Sequence, residues 1–234
     1  MLTILKGIIV VLGAIPLSLA ALISVPLDRS GRTYHGCARL WSRFILWIFR
    51  IRVQMRGLEH LHEDRHYIYA ANHASWFDIP ATIVGIPDDI RIMLKRELTY
   101  VPIWGWALKY GPYIAVDRSN PKDAMRGLDK AVEQMKTGAS LLLFVEGTRT
   151  RDGKLQPFRR GAFTLAARSG VPIIPVTINY SFKILPKGSL AVRPADIEIV
   201  LEKPIETIGT EGREREKLLM EEVRTVIARN FVEP

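Results

Sequence analysis

The sequence is poor in the residues and motifs on which several common chemistries depend. Its single cysteine, Cys37, excludes an internal disulfide and a thiolate zinc site, and it lies far from every polar motif. The chain has no G-x-S-x-G turn, no H-E-x-x-H helix and no glycine-rich nucleotide loop. His60, His62 and His66 lie close together, but we assign them to a solvated loop. We therefore expect a reducing compartment, no metal site and no cysteine or serine nucleophile.

Acidic residues are also in deficit. The 234-residue chain has 24 Asp and Glu against 33 Lys and Arg, which gives a net charge of +9 with His neutral. Such a positive field suits an anionic partner: a phosphate-bearing substrate, an anionic membrane surface or nucleic acid. Hydrophobic residues make up 48% of the chain, which excludes a disordered protein, and the length suits one sizeable domain with an appendage.

Charge is absent altogether from residues 7–27. A helix of that length can cross the hydrocarbon core of a bilayer, which takes roughly 20 residues. Pro16 and Pro26 leave a re-entrant or one-leaflet helix open as well. No convincing small-x-small cleavage site follows, so we favour membrane association over a secretory signal.

The next stretch mixes aromatic residues with arginines, which is typical of a helix at a membrane interface. Nucleic-acid binding also uses such residues, but it does not account for the uncharged run before them. Because the arginines follow that run and only Lys6 precedes it, we expect the remainder to face the cytoplasm. We divide the chain into a membrane-associated helical segment, residues 1–56, and an α/β domain, residues 57–234. The interleaved residues are Trp41, Phe44, Trp47, Phe49, Arg39, Arg43, Arg50, Arg52 and Arg56.

Short apolar runs alternate with helical patterns after Gly57. The runs are rich in Ile, Val, Leu and Tyr without strict alternation, which is typical of buried strands. Asn120 and Pro121 predict a helix start, Gly138 predicts its end, and two more helices are predicted over 161–170 and 214–231. The expected fold class is α/β, with a mixed, partly parallel sheet flanked by helices and preceded by an N-terminal membrane-associated helical segment. The predicted strands are 66–71, 90–94, 113–116, 140–145, 172–180 and 196–203.

The stretch ANHASWFDI, residues 71–79, places His73 five positions before Asp78. Within one helix these side chains would lie about 140° apart, so they meet only if His73 lies in the turn before the helix. One reading makes Asp78 a helix cap, either in a capping box with Ser75 or as the N-cap before Pro80. The other makes Asp78 the carboxylate that orients His73 as a general base at the end of a buried strand.

A second polar group follows the most apolar strand and consists of Glu146, Gly147, Thr148 and Arg149. Glycine permits a close turn of the backbone, and arginine binds phosphate through two N–H groups. For this group taken alone, we favour a plain loop with solvated charges. Further polar and basic residues lie at predicted strand ends and in loops, where binding residues are usually carried. They are Lys95, Arg96, Asp117, Arg118, Arg159 and Arg160.

In this order, the motifs resemble those of the glycerolipid acyltransferases typified by 1-acyl-glycerol-3-phosphate acyltransferase. The family pattern N-H-x-x-x-x-D corresponds to Asn72 through Asp78, GPYIAVDR ends in Arg118, E-G-T-R begins at Glu146, and VPIIPV covers 171–176. The segments KRELTYVPIWGW and FRRG are similar as well. The ordered set is far more specific than any one motif.

The resemblance implies acyl transfer from acyl-CoA or acyl-carrier-protein to the free 2-hydroxyl of 1-acyl-glycerol-3-phosphate, giving phosphatidic acid. His73, oriented by Asp78, would deprotonate that hydroxyl directly, without a covalent intermediate or a cofactor. The partners implied are membrane lipids, the lysophospholipid substrate and the donor, with no nucleic acid. The residues implied in acceptor binding are Lys95, Arg118, Glu146, Gly147, Thr148, Arg149 and Arg160.

Two alternatives stay open. Acyl transfer to another acceptor, such as glycerol 3-phosphate or a lyso-aminolipid, is compatible with the same motifs. A membrane lipid-binding protein without catalysis is a second alternative, against which the intact His73 and Asp78 argue.

Overall fold

A seven-stranded sheet forms the centre of the protein. The computed structural model describes residues 2–117, 120–209 and 212–234. Within these residues the strands are β1 (Val53–Arg56), β2 (Ile68–Ala71), β3 (Ile90–Lys95), β4 (Ile114–Val116), β5 (Ser140–Phe144), β6 (Ile173–Asn179) and β7 (Ile197–Leu201). The strand order is β1-β7-β6-β2-β5-β3-β4. The five strands from β6 to β4 are parallel to one another, while β7 is antiparallel to β6 and β1 is parallel to β7.

Helices cover both faces of the sheet. Two short 3₁₀ helices, Leu58–His60 and Arg96–Tyr100, supplement the α-helices. The α-helices within the described residues are α1 (Leu2–Leu27), α2 (Arg32–Phe49), α3 (Asp78–Gly85), α4 (Trp104–Tyr110), α5 (Pro121–Lys136), α6 (Gly161–Ser169), α7 (Ser181–Ile184) and α8 (Arg213–Asn230).

Strand β2 shows why the central strands read as continuous apolar runs. Its four residues are fully buried, and successive side chains point to opposite faces of the sheet. Tyr69 and Ala71 belong to the apolar cluster formed with α2, α3 and α4. Ile68 and Ala70 belong to the cluster formed with α5, α6 and α8. The sheet is therefore the middle of three layers. The helices cover its two faces, so a site can form where the strands end.

The fold class predicted from the sequence is confirmed: the sheet is mixed, mostly parallel and flanked by helices. Each of the six predicted strands occurs within the predicted range, give or take one residue. The cap of α5 is also confirmed, since the Asn120 side chain accepts hydrogen bonds from the backbone N–H groups of Lys122 and Asp123.

One strand was missed. The sequence of β1, VQMR, alternates between half-buried and exposed positions and carries two strongly polar side chains, so it gives no buried-strand signal. It lies within residues 1–56, which we assigned to the membrane-associated segment, yet it pairs with β7 in the sheet. Its polar sequence follows from its position, because β1 is an edge strand and one face of it is exposed to solvent.

Helices α1 and α2 form an amino-terminal hairpin, and α1 also packs against α4. Helix α1 continues through Pro16 and Pro26 and contains the uncharged run. Among the described residues, Thr3–Leu27 is long and apolar enough to cross a membrane, and most of its large side chains are exposed. That composition makes α1 a candidate membrane segment.

Candidate active site

The carboxyl ends of five parallel strands lie along one edge of the sheet. In the strand register, Ala71 of β2 lies opposite Phe144 of β5 on one side and Val176 of β6 on the other. The residues that follow β2 and β5 therefore leave the sheet side by side. This edge is where binding sites in open α/β sheets lie.

His73 and Asp78 meet at this edge. His73 lies in the turn after β2, Asp78 is the first residue of α3, and His73 Nδ1 is 2.7 Å from Asp78 Oδ2. The same oxygen accepts the backbone N–H groups of Ala74 at 2.7 Å and Ser75 at 2.8 Å. The carboxylate is fully buried, so it is available to hold the imidazole but not to contact solvent. An Nδ1–H donor to this oxygen leaves Nε2 with a lone pair, which is the state that a general base requires.

The Asp78 carboxylate contacts the imidazole of His73 and the backbone ahead of α3 together, but Asp78 is not itself the N-cap, because α3 begins at Asp78 and Phe77 occupies the cap position. The bond of Asp78 to the backbone N–H of Ser75 is the acidic half of a capping box. The Ser75 hydroxyl accepts from the backbone N–H of Phe77 at 3.4 Å rather than from that of Asp78, and it donates to the carbonyl oxygen of Leu185 at 3.1 Å. Capping and orienting use the same carboxylate oxygen, so the helix start fixes the position of the histidine.

Contacts to the ring and to the backbone of His73 fix its position further. Its ring stacks on the ring of Phe144, with centroids 4.0 Å apart and an angle of 18° between the planes. Its backbone carbonyl accepts from the N–H of Thr150 at 2.9 Å. The His73 side chain is 12% exposed, which leaves it reachable from outside while its orientation is fixed. The sequence analysis missed Phe144, since an aromatic residue at a strand end looks like any core aromatic.

Glu146 is a buried carboxylate that joins two loops. Its Oε1 accepts the backbone N–H of His73 at 2.7 Å, and its Oε2 accepts that of Gln156 at 2.7 Å. Burial raises the pKa of Glu146 to about 7, although both backbone donors act in the opposite direction. Both carboxylate oxygens already accept hydrogen bonds from backbone N–H groups of the protein. A carboxylate that bound the substrate directly would need an oxygen without such a bond.

The remainder of the E-G-T-R turn presents a cation beside the histidine. Gly147 has a φ of +72°, a conformation that favours glycine and lets the chain turn back directly after β5. The Arg149 guanidinium lies over the Trp76 ring, 4.5 Å from its centroid. Burial lowers the pKa of Arg149, and the nearby Asp78 carboxylate acts in the opposite direction. Thr148, between them, is exposed.

The other residues predicted to bind the acceptor are Lys95, Arg118 and Arg160, and the structure does not group Lys95 or Arg160 beside Arg149. Lys95 ends β3 at the same edge of the sheet, where its exposed ammonium pairs with Glu97 at 2.7 Å. Arg118 lies outside the described residues. Arg160 precedes α6 and pairs with Glu216 of α8 at 2.8 Å, so its charge is already matched away from the E-G-T-R turn.

Arg159, the neighbour of Arg160, lies beside that turn instead. Its Cγ is 3.2 Å from the position that a Cβ would occupy at Gly147. The two arginines are adjacent in sequence, and no local pattern separates the one that faces the turn from the one that faces α8.

An apolar cavity of about 350 Å³ opens beside the pair. Trp76, Phe77 and Ile79, which flank Asp78 in sequence, form part of its wall. The opposite walls come from the amino-terminal hairpin and from α4, including Val10, Leu17, Trp41 and Trp104. A cavity of this size with almost no polar group suits a hydrocarbon chain.

No metal-binding arrangement occurs in the part of the chain that the structure describes. Within these residues, no three His, Cys, Asp or Glu side chains are grouped so that they could hold an ion.

The chain is similar to known acyltransferases in sequence and in structure. The chain is similar to the 1-acyl-sn-glycerol-3-phosphate acyltransferase BAT2, chloroplastic, of Brassica napus, with 34% identity over 207 residues that cover 87% of this chain and 58% of the relative. A 1-acyl-sn-glycerol-3-phosphate acyltransferase of Pseudomonas aeruginosa is 36% identical over 173 residues, covering 72% of this chain and 66% of the relative. The crystal structure of the 1-acyl-sn-glycerophosphate (LPA) acyltransferase, PlsC, from Thermotoga maritima matches with a TM-score of 0.83 and 26% identity, over 98% of this chain and 92% of that one.

The chain spans between about half and two thirds of the length of the curated relatives it matches. A family model described as Acyltransferase matches residues 52–179, more than half of the chain. That range contains the His73–Asp78 pair and the Glu146–Arg149 turn, and it confirms the family resemblance drawn from the motifs. This protein therefore belongs to the Acyltransferase family.

Proposed function

We propose that this protein transfers an acyl chain from an acyl thioester to the free 2-hydroxyl of 1-acyl-glycerol-3-phosphate, giving phosphatidic acid. The observation that carries the proposal is the 2.7 Å hydrogen bond between His73 Nδ1 and Asp78 Oδ2 at the carboxyl edge of the sheet. The relatives that share most of this chain bear the name of this activity.

In the proposed reaction His73 Nε2 takes the proton of the acceptor hydroxyl as its oxygen attacks the thioester carbonyl carbon. The buried Asp78 carboxylate stabilises the imidazolium that forms. The tetrahedral intermediate then breaks its C–S bond, and the imidazolium returns the proton to the departing thiolate. The products are the acylated acceptor and the free thiol, and His73 ends neutral, as it began. No covalent acyl-enzyme and no bound cofactor is needed.

The phosphate of the acceptor is assigned to the cationic side of the site. Arg149 supports this assignment because it ends the E-G-T-R turn and has no carboxylate partner among the described residues. A guanidinium can bind two phosphate oxygens at once. Arg118 and Lys95 remain predicted contributors to the same binding site.

An acyl chain is assigned to the apolar cavity. Its wall residues Trp76, Phe77 and Ile79 flank Asp78, so a chain in the cavity would carry its polar end near His73. Burial of apolar surface at roughly 25 cal/mol per Å² provides the driving force for that placement.

Membrane association is assigned to the amino-terminal hairpin. Helix α1 is apolar and largely exposed, and the lysophospholipid acceptor is itself a membrane lipid. The arginines that follow α1 favour a cytoplasmic orientation of the domain, where acyl-CoA or acyl-carrier-protein would be met.

The test is a product assay with purified protein in vesicles. Radiolabelled acyl-CoA and acyl-carrier-protein are each offered with 1-acyl-glycerol-3-phosphate, glycerol 3-phosphate or lysophosphatidylethanolamine. The proposal predicts phosphatidic acid as the main product. A faster reaction with either other acceptor would contradict the acceptor assignment, and vesicle binding without transfer to any acceptor would favour a non-catalytic lipid-binding protein.

A further inference from the structure

The segment that follows α7 contacts both polar turns of the candidate site. Its Leu185 carbonyl oxygen accepts the Ser75 hydroxyl at 3.1 Å, within the turn that carries His73 and Asp78. Leu185 and Val192 also form part of the wall of the apolar cavity. The segment lies beyond the residues that the family model matches, so no sequence motif pointed to it.

Lys187 connects this segment to the E-G-T-R turn. Its Nζ donates to the Thr148 hydroxyl oxygen at 2.9 Å and to the Arg149 carbonyl oxygen at 3.1 Å. An ammonium has three N–H donors, so one donor remains beyond these two bonds. The residue is half-buried, which reduces the screening of its charge by water.

The ammonium of Lys187 has no carboxylate partner among the described residues, whereas several cations around the site have one. Lys95 pairs with Glu97, Arg96 with Asp123 and Arg160 with Glu216. Throughout the described ranges, no carboxylate lies within 4.0 Å of the ammonium of Lys187 or of the guanidinium of Arg149. The ammonium of Lys187 is bound to the backbone of the residue that carries the Arg149 guanidinium. Two cations without carboxylate partners that come from contacting segments offer a site for a dianion.

We propose that Lys187 is a specificity-determining residue that binds the phosphate of the acceptor together with Arg149. This inference rests on the proposed function. The third N–H of Lys187 contacts a phosphate oxygen, while its bonds to the Thr148 hydroxyl and the Arg149 carbonyl hold the ammonium against the E-G-T-R turn. Lys187 thereby distinguishes a phosphate-bearing acceptor from a neutral one, and it takes no part in the proton transfer at His73.

The test compares two acceptors that differ only in the phosphate. Lys187→Met, Lys187→Arg and wild type are assayed with 1-acyl-glycerol-3-phosphate and with 1-monoacylglycerol of the same chain. The expected result for Lys187→Met is a rise of about tenfold in KM for the phosphate-bearing acceptor, the order of magnitude of one charge-assisted hydrogen bond. Its kcat, its KM for the donor and its rate with monoacylglycerol should stay within about twofold of wild type, and Lys187→Arg should recover most of the loss.

Lys183 provides the matched control. It is an exposed lysine of α7 whose ammonium lies 5.6 Å from the centroid of the Tyr180 ring. Lys183→Met removes the same charge from the helix that precedes the segment and should leave both acceptors unaffected. A loss of equal size with both acceptors in Lys187→Met would show that Lys187 only holds the turn, and no loss with either would show that it has no role; each result would overturn the inference.

A binding measurement separates this inference from the proposed function. If wild type transfers nothing to 1-acyl-glycerol-3-phosphate, the proposed function fails, and Lys187 is then tested by the thermal shift that this lipid produces. A shift by the phosphate-bearing lipid that exceeds the monoacylglycerol shift in wild type, and shrinks in Lys187→Met, supports phosphate binding. Equal shifts in the two proteins would overturn it.

Discussion

The backbone N–H of His73 donates to Oε1 of Glu146 at 2.7 Å, and the other oxygen of this carboxylate accepts the N–H of Gln156 at the same distance. Glu146 therefore ties the end of β5 to the histidine turn after β2 and to the loop before α6. We infer that it acts on His73 through the backbone. The acidic residue of the E-G-T-R motif would then be a positioning residue, and the proposed function leaves substrate contact to the cations around it.

The first prediction concerns the pH dependence of stability in Glu146→Gln. Burial raises the pKa of Glu146 from 4.5 to about 7, so the folded protein holds this proton more tightly than the unfolded chain does. Its contribution to stability is complete below pH 4.5 and is lost as the pH rises to 7. The free energy of unfolding of wild type relative to Glu146→Gln should therefore fall by roughly 3 kcal/mol over this interval.

Urea unfolding in detergent at several pH values measures this difference. Glu133→Gln, which alters an exposed residue paired with Lys136, is the control and should show no such trend. Parallel stability curves for wild type and Glu146→Gln would contradict the account of Glu146.

The second prediction uses the single cysteine as a reporter of the cavity. Cys37 is half-buried and lines the apolar cavity, and burial raises the pKa of its thiol. A long-chain 1-acyl-glycerol-3-phosphate at ten times its Kd should slow alkylation of Cys37 by maleimide at pH 8.5 by about tenfold, in proportion to occupancy. Glycerol 3-phosphate, which has no acyl chain, should give no protection. Equal alkylation rates with and without the long-chain lipid would show that the acyl chain does not bind in this cavity.

The third prediction concerns the connection between the amino-terminal hairpin and the helix that carries Asp78. Arg39 of α2 donates to the carbonyl oxygens of Ile83 at 3.2 Å, Ile86 at 3.1 Å and Asp88 at 3.0 Å, at the end of α3. Arg39→Met leaves these carbonyls without a donor and should destabilise the protein by about 2–3 kcal/mol.

Arg39→Lys should recover less than half of that loss, because an ammonium cannot reproduce the planar fork that reaches three carbonyls. Thermal unfolding in detergent provides the measurement. Arg43→Met, at an exposed position of the same helix, should change stability by less than about 0.5 kcal/mol. Equal stability of Arg39→Met and Arg43→Met would show that the hydrogen bonds of Arg39 do not stabilise the packing of α2 against α3.

The elements that the sequence predicted are those whose signals are local. Buried strands such as β2 are apolar without interruption, and the Asn120 cap is a short-range pattern. The spacing of His73 and Asp78 led to a turn followed by a helix start, which the structure confirms. Motif order then supplied the family.

The features that the sequence did not predict depend on contacts between distant segments. Edge strand β1 is recognisable only through its pairing with β7. Phe144 stacks on His73, and Lys187 meets Thr148 from a segment 39 positions away. The family resemblance implied Arg160 in acceptor binding, whereas the structure pairs Arg160 with Glu216 of α8.

The most direct test of the central claim is the rate of acyl transfer to 1-acyl-glycerol-3-phosphate in wild type, His73→Ala and Asp78→Asn. His62→Ala, which alters an exposed histidine in the loop before β2, is the control. A general base held by a carboxylate predicts a loss of about 10³-fold in kcat for His73→Ala and a large loss for Asp78→Asn, with vesicle binding intact and His62→Ala unchanged. Retention of most of the wild-type rate by folded His73→Ala would contradict the assignment of His73 as the base.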